Sequence, residues 1–144
     1  MDERTKDWNT YVKDWFRFAD RNLNFAENYR EIVPASFAFA CFNCHEAAQK
    51  YLKAFLVYRT EEKPTDSEDM PELIEMCAAL DDRFRELTEL GNLISRYNED
   101  VNYPYGPKVD DEDVKKALRY AAEIKAFPPL AELREKLEQE APSE

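Results

Sequence analysis

Residues 35–58 are the segment that most limits how this chain can fold. The segment contains neither glycine nor proline, and apolar side chains occupy most of positions 35–42. Further apolar residues continue at helical spacing, namely Ala47, Ala48, Tyr51, Leu52, Phe55 and Leu56. A helix that is apolar nearly all round must be covered on several sides. We therefore expect this helix to lie at the centre of a helical bundle.

Apolar residues elsewhere in the chain also recur at steps of three and four, which predicts further helices. In the first helix this face comprises Trp8, Tyr11, Trp15, Phe18, Ala19, Leu23 and Ala26. The predicted helices run from about Thr5 to Tyr29, from Pro34 to about Tyr58, from the cap Asp69 and Pro71 to about Leu80, from Asp81-Asp82 to about Tyr97, and from Asp110 to Pro128-Pro129. A short helix with Leu130, Leu133 and Leu137 follows, then an acidic tail at 138–144. Residues 59–69 and 98–109 are expected to be loops.

The predicted fold class is therefore all-α, an up-and-down antiparallel bundle of about five helices plus a short C-terminal helix. Only two of the 144 residues are glycine, which agrees with a helical chain. The length suits a single domain over 1–144. The 19 aromatic residues exceed what one small core needs, and aromatic residues are enriched at subunit interfaces. We expect a homodimer.

The charge of the chain argues against generic nucleic-acid binding. The net charge is −11, which repels phosphate backbones at long range. The distribution is uneven, since residues 61–100 carry 13 acids and 4 bases whereas residues 34–60 carry 3 bases and 1 acid. A small anion could therefore find a favourable place on the second segment. No apolar run approaches the roughly 20 residues that span a bilayer, and the N-terminus lacks a signal-peptide pattern. We infer a cytoplasmic protein without membrane association.

Four residues suggest metal or redox chemistry, but their pattern does not support it. Cys41 and Cys44 lie within an apolar helix, and Cys77 is distant in sequence, so the four ligands of a zinc site are lacking. The cysteines are interpreted as buried packing residues. His45, the only histidine, has no partner that the sequence identifies, and we expect it at a helix surface or an interface. The acids at 110–113 suit a helix N-terminus better than a cation site. We predict no catalytic residue, no metal and no cofactor.

Glu46, Gln49, Lys50 and Lys53 share one face of the central helix at steps of three and four. One interpretation is a solvated stripe in which Glu46 and Lys50 form a weak pair. The other is a patch that faces phosphate, because two lysines on one face can meet an anion. The spacing by itself favours the solvated stripe.

Two longer segments, with shorter ones that follow, resemble the HEPN domain family, in the branch similar to the HEPN domain of sacsin. Residues 15–26 read WFRFADRNLNFA, like that branch's AxxDLxxA helix, and residues 42–56 read FNCHEAAQKYLKAFL, like its FHCQQAAEKxLKA signature. Residues 67–70, Leu73 to Cys77, Phe84, Tyr97, Asn102 to Pro104 and Ala117 to Ile124 follow in the family's order. The resemblance covers about residues 8–127.

Apolar family positions match, while several polar ones differ. Asn22 stands for Asp, Asn43 for His, His45-Glu46 for Gln-Gln, Gln49 for Glu, Glu68 for His and Asn102 for Arg. Lys50, Lys53, Asp69, Tyr103 and Pro104 keep the family residue. The resemblance implies a homodimeric bundle, a minimal nucleotidyltransferase as partner and, in some members, nucleotide binding. By that analogy, Lys50 and Lys53 would hold phosphate and Tyr103 would stack on the base. Asn102 replaces an arginine that could grip phosphate with two hydrogen bonds, so binding is expected to be weak or absent.

The resemblance also raises the alternative of a HEPN-type ribonuclease toxin of a toxin–antitoxin pair. Those members carry an arginine followed after four to six residues by a histidine. The only histidine here is His45, and the nearest preceding arginine is Arg30. A general base and a cation for the transition state would both be missing. The expected function is therefore a non-catalytic HEPN-like interaction module, and an unrecognised acid–base enzyme finds no support in the spacing.

Overall fold

The computed structural model describes residues 3–31 and 36–140, and within these ranges every regular element is a helix. The α-helices are α1 (Glu3–Glu27), α2 (Phe37–Thr60), α3 (Met70–Leu80), α4 (Thr88–Ile94), α5 (Asp111–Lys125) and α6 (Pro128–Gln139). Short 3-10 helices occupy Tyr29–Glu31, Asp82–Leu87, Ser95–Tyr97 and Glu99–Asn102. The all-α prediction is confirmed. None of the described helices is long and apolar enough to cross a membrane.

Helix α2 lies at the centre, as its composition predicts, and contacts α1, α3, α5 and α6. Fourteen of its residues are buried, including the polar Asn43, His45 and Gln49. The helix begins after Ser36, whose hydroxyl accepts a hydrogen bond of 3.0 Å from the Phe39 N–H. Pro34, where the sequence predicted the helix to start, lies outside the described residues.

Helix α1 packs against α2 through a stripe that differs from the predicted one by a small rotation. The buried residues are Val12, Phe16, Ala19, Leu23 and Ala26, whereas Trp8, Tyr11 and Trp15 are only half-buried. Phe18 was expected inside, but it is 45 % exposed, with the Arg21 guanidinium 4.7 Å from its ring centroid. The apolar stripe of α1 is wider than the arc that α2 covers, so aromatic side chains remain at the surface.

The fourth predicted helix, from Asp81 to Tyr97, is not one helix. A 3-10 helix (Asp82–Leu87), α4 and a second 3-10 helix (Ser95–Tyr97) replace it. Gly91 of α4 lies so close to α3 that a Cβ atom there would overlap the Ile74 Cδ1 atom. At the start of α3, Asp69 occupies the predicted cap position, but its side chain makes no cap hydrogen bond.

Helices α5 and α6 complete the bundle as the sequence predicts. Asp110 and Asp113 form a reciprocal capping box, with two hydrogen bonds of 3.0 Å between side chain and backbone. The acids at 110–113 therefore start a helix, as interpreted from the sequence. Leu130, Leu133 and Leu137 of α6 are buried. Helix α6 reaches Gln139, into the predicted acidic tail, and residues 141–144 lie outside the described part.

Candidate functional site

Lys50 and Lys53, the two lysines predicted to meet phosphate, lie half-buried along the contact between α2 and α1. The Lys50 ammonium donates a hydrogen bond of 2.6 Å to the Asn22 side-chain oxygen on α1. The Lys53 Nζ atom lies 5.9 Å from the centroid of the Trp15 ring. Both cations therefore contact α1, and the predicted solvated stripe is wrong for this part of α2.

A chain of side-chain amides extends this contact toward the start of α2. The Asn22 amide donates to the Asn43 side-chain oxygen at 2.6 Å, and the Asn43 amide donates to the Phe39 carbonyl at 2.9 Å. Because an ammonium can only donate, the hydrogen bond from Lys50 fixes the orientation of Asn22 and through it that of Asn43. Asn22 and Asn43 are two of the positions where the polar residues differ from the family pattern. They contact each other, so the two neutral amides form one hydrogen-bonded pair.

Carboxylates surround the Lys50 end of this face. Burial of half-buried Glu46 raises the pKa of its carboxyl group, and the nearby charges of Glu68 and Glu99 act in the same direction while Lys50 opposes them. Burial also lowers the pKa of the Lys50 ammonium, an effect that Glu46 partly offsets. Buried Gln49 donates a hydrogen bond of 2.7 Å to the Glu68 carbonyl and so holds the loop that precedes α3 against α2. A phosphate at Lys50 would therefore approach a cation whose charge is already partly compensated.

Asn102 and Tyr103, the other two predicted site residues, are exposed at the end of the Glu99–Asn102 turn. This turn contacts α2, so the structure brings the loop and the lysine-bearing helix into one region of the fold. The Tyr103 hydroxyl lies 3.2 Å from a carboxylate oxygen of Glu99, and the Tyr103 ring stacks on Tyr105 with centroids 5.5 Å apart. Tyr103 is thus engaged with its own loop, whereas Lys50 and Lys53 are engaged with α1.

A shallow groove of about 280 Å³ runs beside the lysine contact and is lined by Tyr11, Asp14, Trp15, Phe18 and Lys50. Drug-sized ligands occupy pockets of about 300–1,000 Å³, so the volume of this groove lies just below that range. It offers one ammonium and one carboxylate beside three aromatic rings. Such a lining suits a small aromatic group better than a triphosphate.

The single histidine and the cysteines lie in the core. His45 is 2 % exposed, and burial lowers the pKa of its imidazole to about 4, so the ring is neutral near pH 7. The expectation of a surface or interface histidine is wrong, because α2 is covered on several sides. Cys41, Cys44 and Cys77 are buried free thiols, as interpreted from the sequence, and burial raises the pKa of Cys41 to about 12. Among the described residues, no group of three or more His, Cys, Asp and Glu side chains could share a metal ion.

An ionic cluster around Asp20 is a feature that sequence reasoning missed. Arg134 of α6 forms two hydrogen bonds to the Asp20 carboxylate, at 2.9 and 3.0 Å, and the Tyr51 hydroxyl donates a third at 2.5 Å. Burial disfavours the charge on Asp20, but the hydrogen bonds from Arg134 and Tyr51 outweigh it, and the pKa of the carboxyl group is lowered. The cluster joins α1, α2 and α6. Asp20 and Arg134 are 114 residues apart, so no local spacing could have revealed the pair.

The sequence model of the HEPN domain family matches residues 12–129, which is most of the chain. This chain belongs to the HEPN domain family. The resemblance inferred from the motifs in α1 and α2 is confirmed.

Among solved structures, this HEPN chain is similar to the crystal structure of TT1696 from Thermus thermophilus. The two share 24 % identity with a TM-score of 0.64, over 87 % of this chain and 97 % of that one. At this identity the likeness establishes the fold alone. No match was found among curated proteins.

Proposed function

We propose that this HEPN-domain protein is a non-catalytic interaction module that forms a homodimer and acts with a nucleotidyltransferase-type partner. The observation that carries the proposal is an aromatic face formed by Phe18, Phe25 and Phe39. Phe18 and Phe39 are 45 % and 46 % exposed, and half-buried Phe25 meets Phe39 edge to face with centroids 5.1 Å apart. Large aromatic side chains are enriched at protein interfaces.

A twofold dimer would cover this aromatic face, which in a monomer stays in contact with water. In a twofold interface the same patch meets its own copy, so aromatic rings would pack on aromatic rings. Removing apolar surface from water contributes about 25 cal/mol per Å², so covering the exposed parts of Phe18 and Phe39 would stabilise the dimer. The Asn22–Asn43 amide pair runs beside the rings and is internally satisfied, so pairing would leave none of these amide hydrogen bonds broken.

The placement of the polar residues supports the non-catalytic part of the proposal. His45 is buried and neutral, and it belongs to no Arg/His motif of the ribonuclease kind. The nucleotidyltransferase-type partner is proposed from family membership, and the neighbouring gene and its product offer the direct test. The three buried, free thiols support the cytoplasmic location that we propose.

Light scattering tests the dimer. The wild type should give about twice the chain mass of 17.0 kDa. The double variant Phe18→Ser, Phe39→Ser should be monomeric with an unchanged far-ultraviolet circular dichroism spectrum, because nearly half of each residue is exposed and neither belongs to the buried core. Tyr105→Ser is the matched control, since Tyr105 is an exposed aromatic residue outside the face, and it should stay dimeric. A wild type that remains monomeric at all concentrations would refute the proposed dimer, and a dimer unaffected by the double variant would refute the assigned face.

The proposed nucleotide contact is weak or absent. Lys50 and Lys53 would contact phosphate and Tyr103 the base, but Lys50 is bonded to Asn22, and Asn102 supplies no charge. Calorimetric titration with ATP and GTP should therefore give little heat. Any weak binding should disappear in the double variant Lys50→Ala, Lys53→Ala. Tight binding that survives this double variant would contradict the site.

A further inference from the structure

A second surface groove, of about 460 Å³, lies between α4 and α5. Its lining residues are Glu86, Leu87, Glu89, Leu90, Leu93, Arg119, Tyr120, Glu123 and Phe127. The apolar members form a continuous series from the buried Leu87, through half-buried Leu90, to Leu93, which is 44 % exposed. Phe127 packs against the buried Phe84, with ring centroids 5.4 Å apart. The leucines and Phe127 therefore form an apolar strip that is anchored in the core and lies among polar side chains.

Acidic residues form the rim of this α4–α5 groove. Glu86, Glu89 and Glu123 lie with one cation, Arg119, so the lining that the structure describes carries a net charge of −2. Arg119 is already engaged, because its Nε lies 3.9 Å from a Glu123 carboxylate oxygen and its guanidinium lies 5.3 Å from the Tyr120 ring centroid. The two glutamates near α4 belong to the segment 61–100, which carries 13 acids and 4 bases.

We infer that the α4–α5 groove binds a basic amphipathic helix of a partner protein. A groove with an apolar strip between charged edges accepts a helix that presents apolar residues at steps of three and four with opposite charges beside them. The lining extends from Glu86 to Leu93 around α4 and from Arg119 to Glu123 on α5, about 12 Å at most, which matches about two turns of a docked helix. The inference rests on the proposal that this chain works by binding proteins, and it assigns that partner a surface and a charge.

Charge also excludes two other occupants of this groove. A second copy of the same groove would bring two net-negative rims together, so the surface is unsuited to twofold self-association. A nucleic-acid backbone would meet the same repulsion. The α4–α5 groove and the aromatic face of Phe18, Phe25 and Phe39 therefore serve different partners.

Fluorescence anisotropy with a designed peptide tests the inference. The probe is a labelled peptide of about 18 residues, five helical turns, with leucines at i, i+3, i+4 and i+7 and lysines on the polar positions. A scrambled peptide of identical composition and an amphipathic peptide with glutamate in place of lysine serve as controls. The wild-type protein should bind the basic amphipathic peptide at least tenfold more tightly than either control. Equal binding of the scrambled peptide, or no binding of the basic amphipathic peptide, would overturn the inference.

Two variants test the location. Glu86→Lys with Glu89→Lys should weaken binding at least tenfold, and Leu93→Ser should weaken it severalfold. The matched control is Glu62→Lys with Asp66→Lys, which makes the same charge change at two exposed loop residues outside the groove and should leave binding within twofold of wild type. An equal loss in the control pair would mean that net charge alone attracts the peptide, and the groove assignment would fall.

The mass from light scattering separates this inference from the proposed function. A dimeric wild type that does not bind the peptide would remove the groove inference and leave the dimer proposal standing. A monomeric wild type that binds the peptide through Glu86, Glu89 and Leu93 would support the groove and remove the dimer.

Discussion

Replacing His45 with leucine should change the pH dependence of folding in a way that follows from the burial of the imidazole. The ring is 2 % exposed, and burial lowers its pKa from about 6.5 to about 4. Its Nδ1 atom is buried without a hydrogen-bond partner in the described part of the chain. Between about pH 6.5 and pH 4, His45 is therefore mostly protonated in the unfolded chain and mostly neutral in the folded chain.

The sign and the size of the effect follow from proton linkage. Because the folded pKa of His45 is depressed, its neutral form is favoured in the fold, and stability falls as the pH drops from about 6.5 toward 4. A pKa difference of about 2.5 units corresponds to about 3 kcal/mol once the loss is complete. Between pH 7.5 and pH 5, the loss attributable to His45 is about 2 kcal/mol. Leucine has no proton to exchange, so His45→Leu should lack this component.

Urea unfolding of both proteins at fixed protein concentration measures the effect. At pH 7.5 the two should differ by about 1 kcal/mol or less, since leucine removes an unpartnered nitrogen but fits the site imperfectly. Lowering the pH from 7.5 to 5 should shift the difference in unfolding free energy between the two proteins by about 2 kcal/mol in favour of the variant. The carboxylates titrate in both proteins, so they cancel in the comparison. Parallel pH profiles for the two proteins would refute the account of a buried, neutral His45.

Three further predictions concern stability and reactivity. Arg134→Ala should lower the free energy of unfolding at pH 7 by about 1–2 kcal/mol in urea titrations, because it removes both Arg134 hydrogen bonds from Asp20. Part of this loss arises because Arg134 lowers the pKa of the Asp20 carboxyl group in the folded protein. That part is fully present above the ordinary Asp pKa of about 4, and it should vanish as the pH falls through the pKa of Asp20 in the folded protein. Gly106→Ala should lower the thermal unfolding midpoint in calorimetry, since a Cβ atom there would overlap the Asp100 carbonyl oxygen, and a cost of about 1–3 kcal/mol is expected. Burial raises the pKa of the Cys41 thiol to about 12, so this thiol should resist iodoacetamide at pH 8 in the native protein and react with it in urea. Mass spectrometry would detect the labelled cysteine, and rapid labelling of the native protein would contradict the burial of Cys41.

The interruption of the fourth predicted helix illustrates a limit of reading periodicity. Phe84, Leu87 and Leu90 are spaced by three residues, a step that both α-helices and 3-10 helices place on one side. The sequence therefore identified most of the side chains that face the core, and Phe84, Leu87 and Ile94 are buried. It could not distinguish the two helix types. The close approach of Gly91 to Ile74 on α3 is a property of the packed bundle and cannot be read from either segment alone.

The candidate site shows the same division between local and long-range information. Spacing placed Lys50 and Lys53 on one side of α2, but it could not reveal that Asn22 and Trp15 of α1 would meet them. The Asn22–Asn43 pair links residues 21 positions apart, and only the fold shows that two departures from the family pattern are in contact.

The sequence by itself determined the helical class, the central position of α2, the start of α5 and the family, because these depend on residue spacing, on capping residues and on motifs within one segment. Only the tertiary structure decided that His45 is buried, that Asp20 meets Arg134 and that acids border the α4–α5 groove. Each of these depends on which face of one helix meets another. That choice is made by packing between residues distant in the chain, where burial and charge act through space rather than along the sequence.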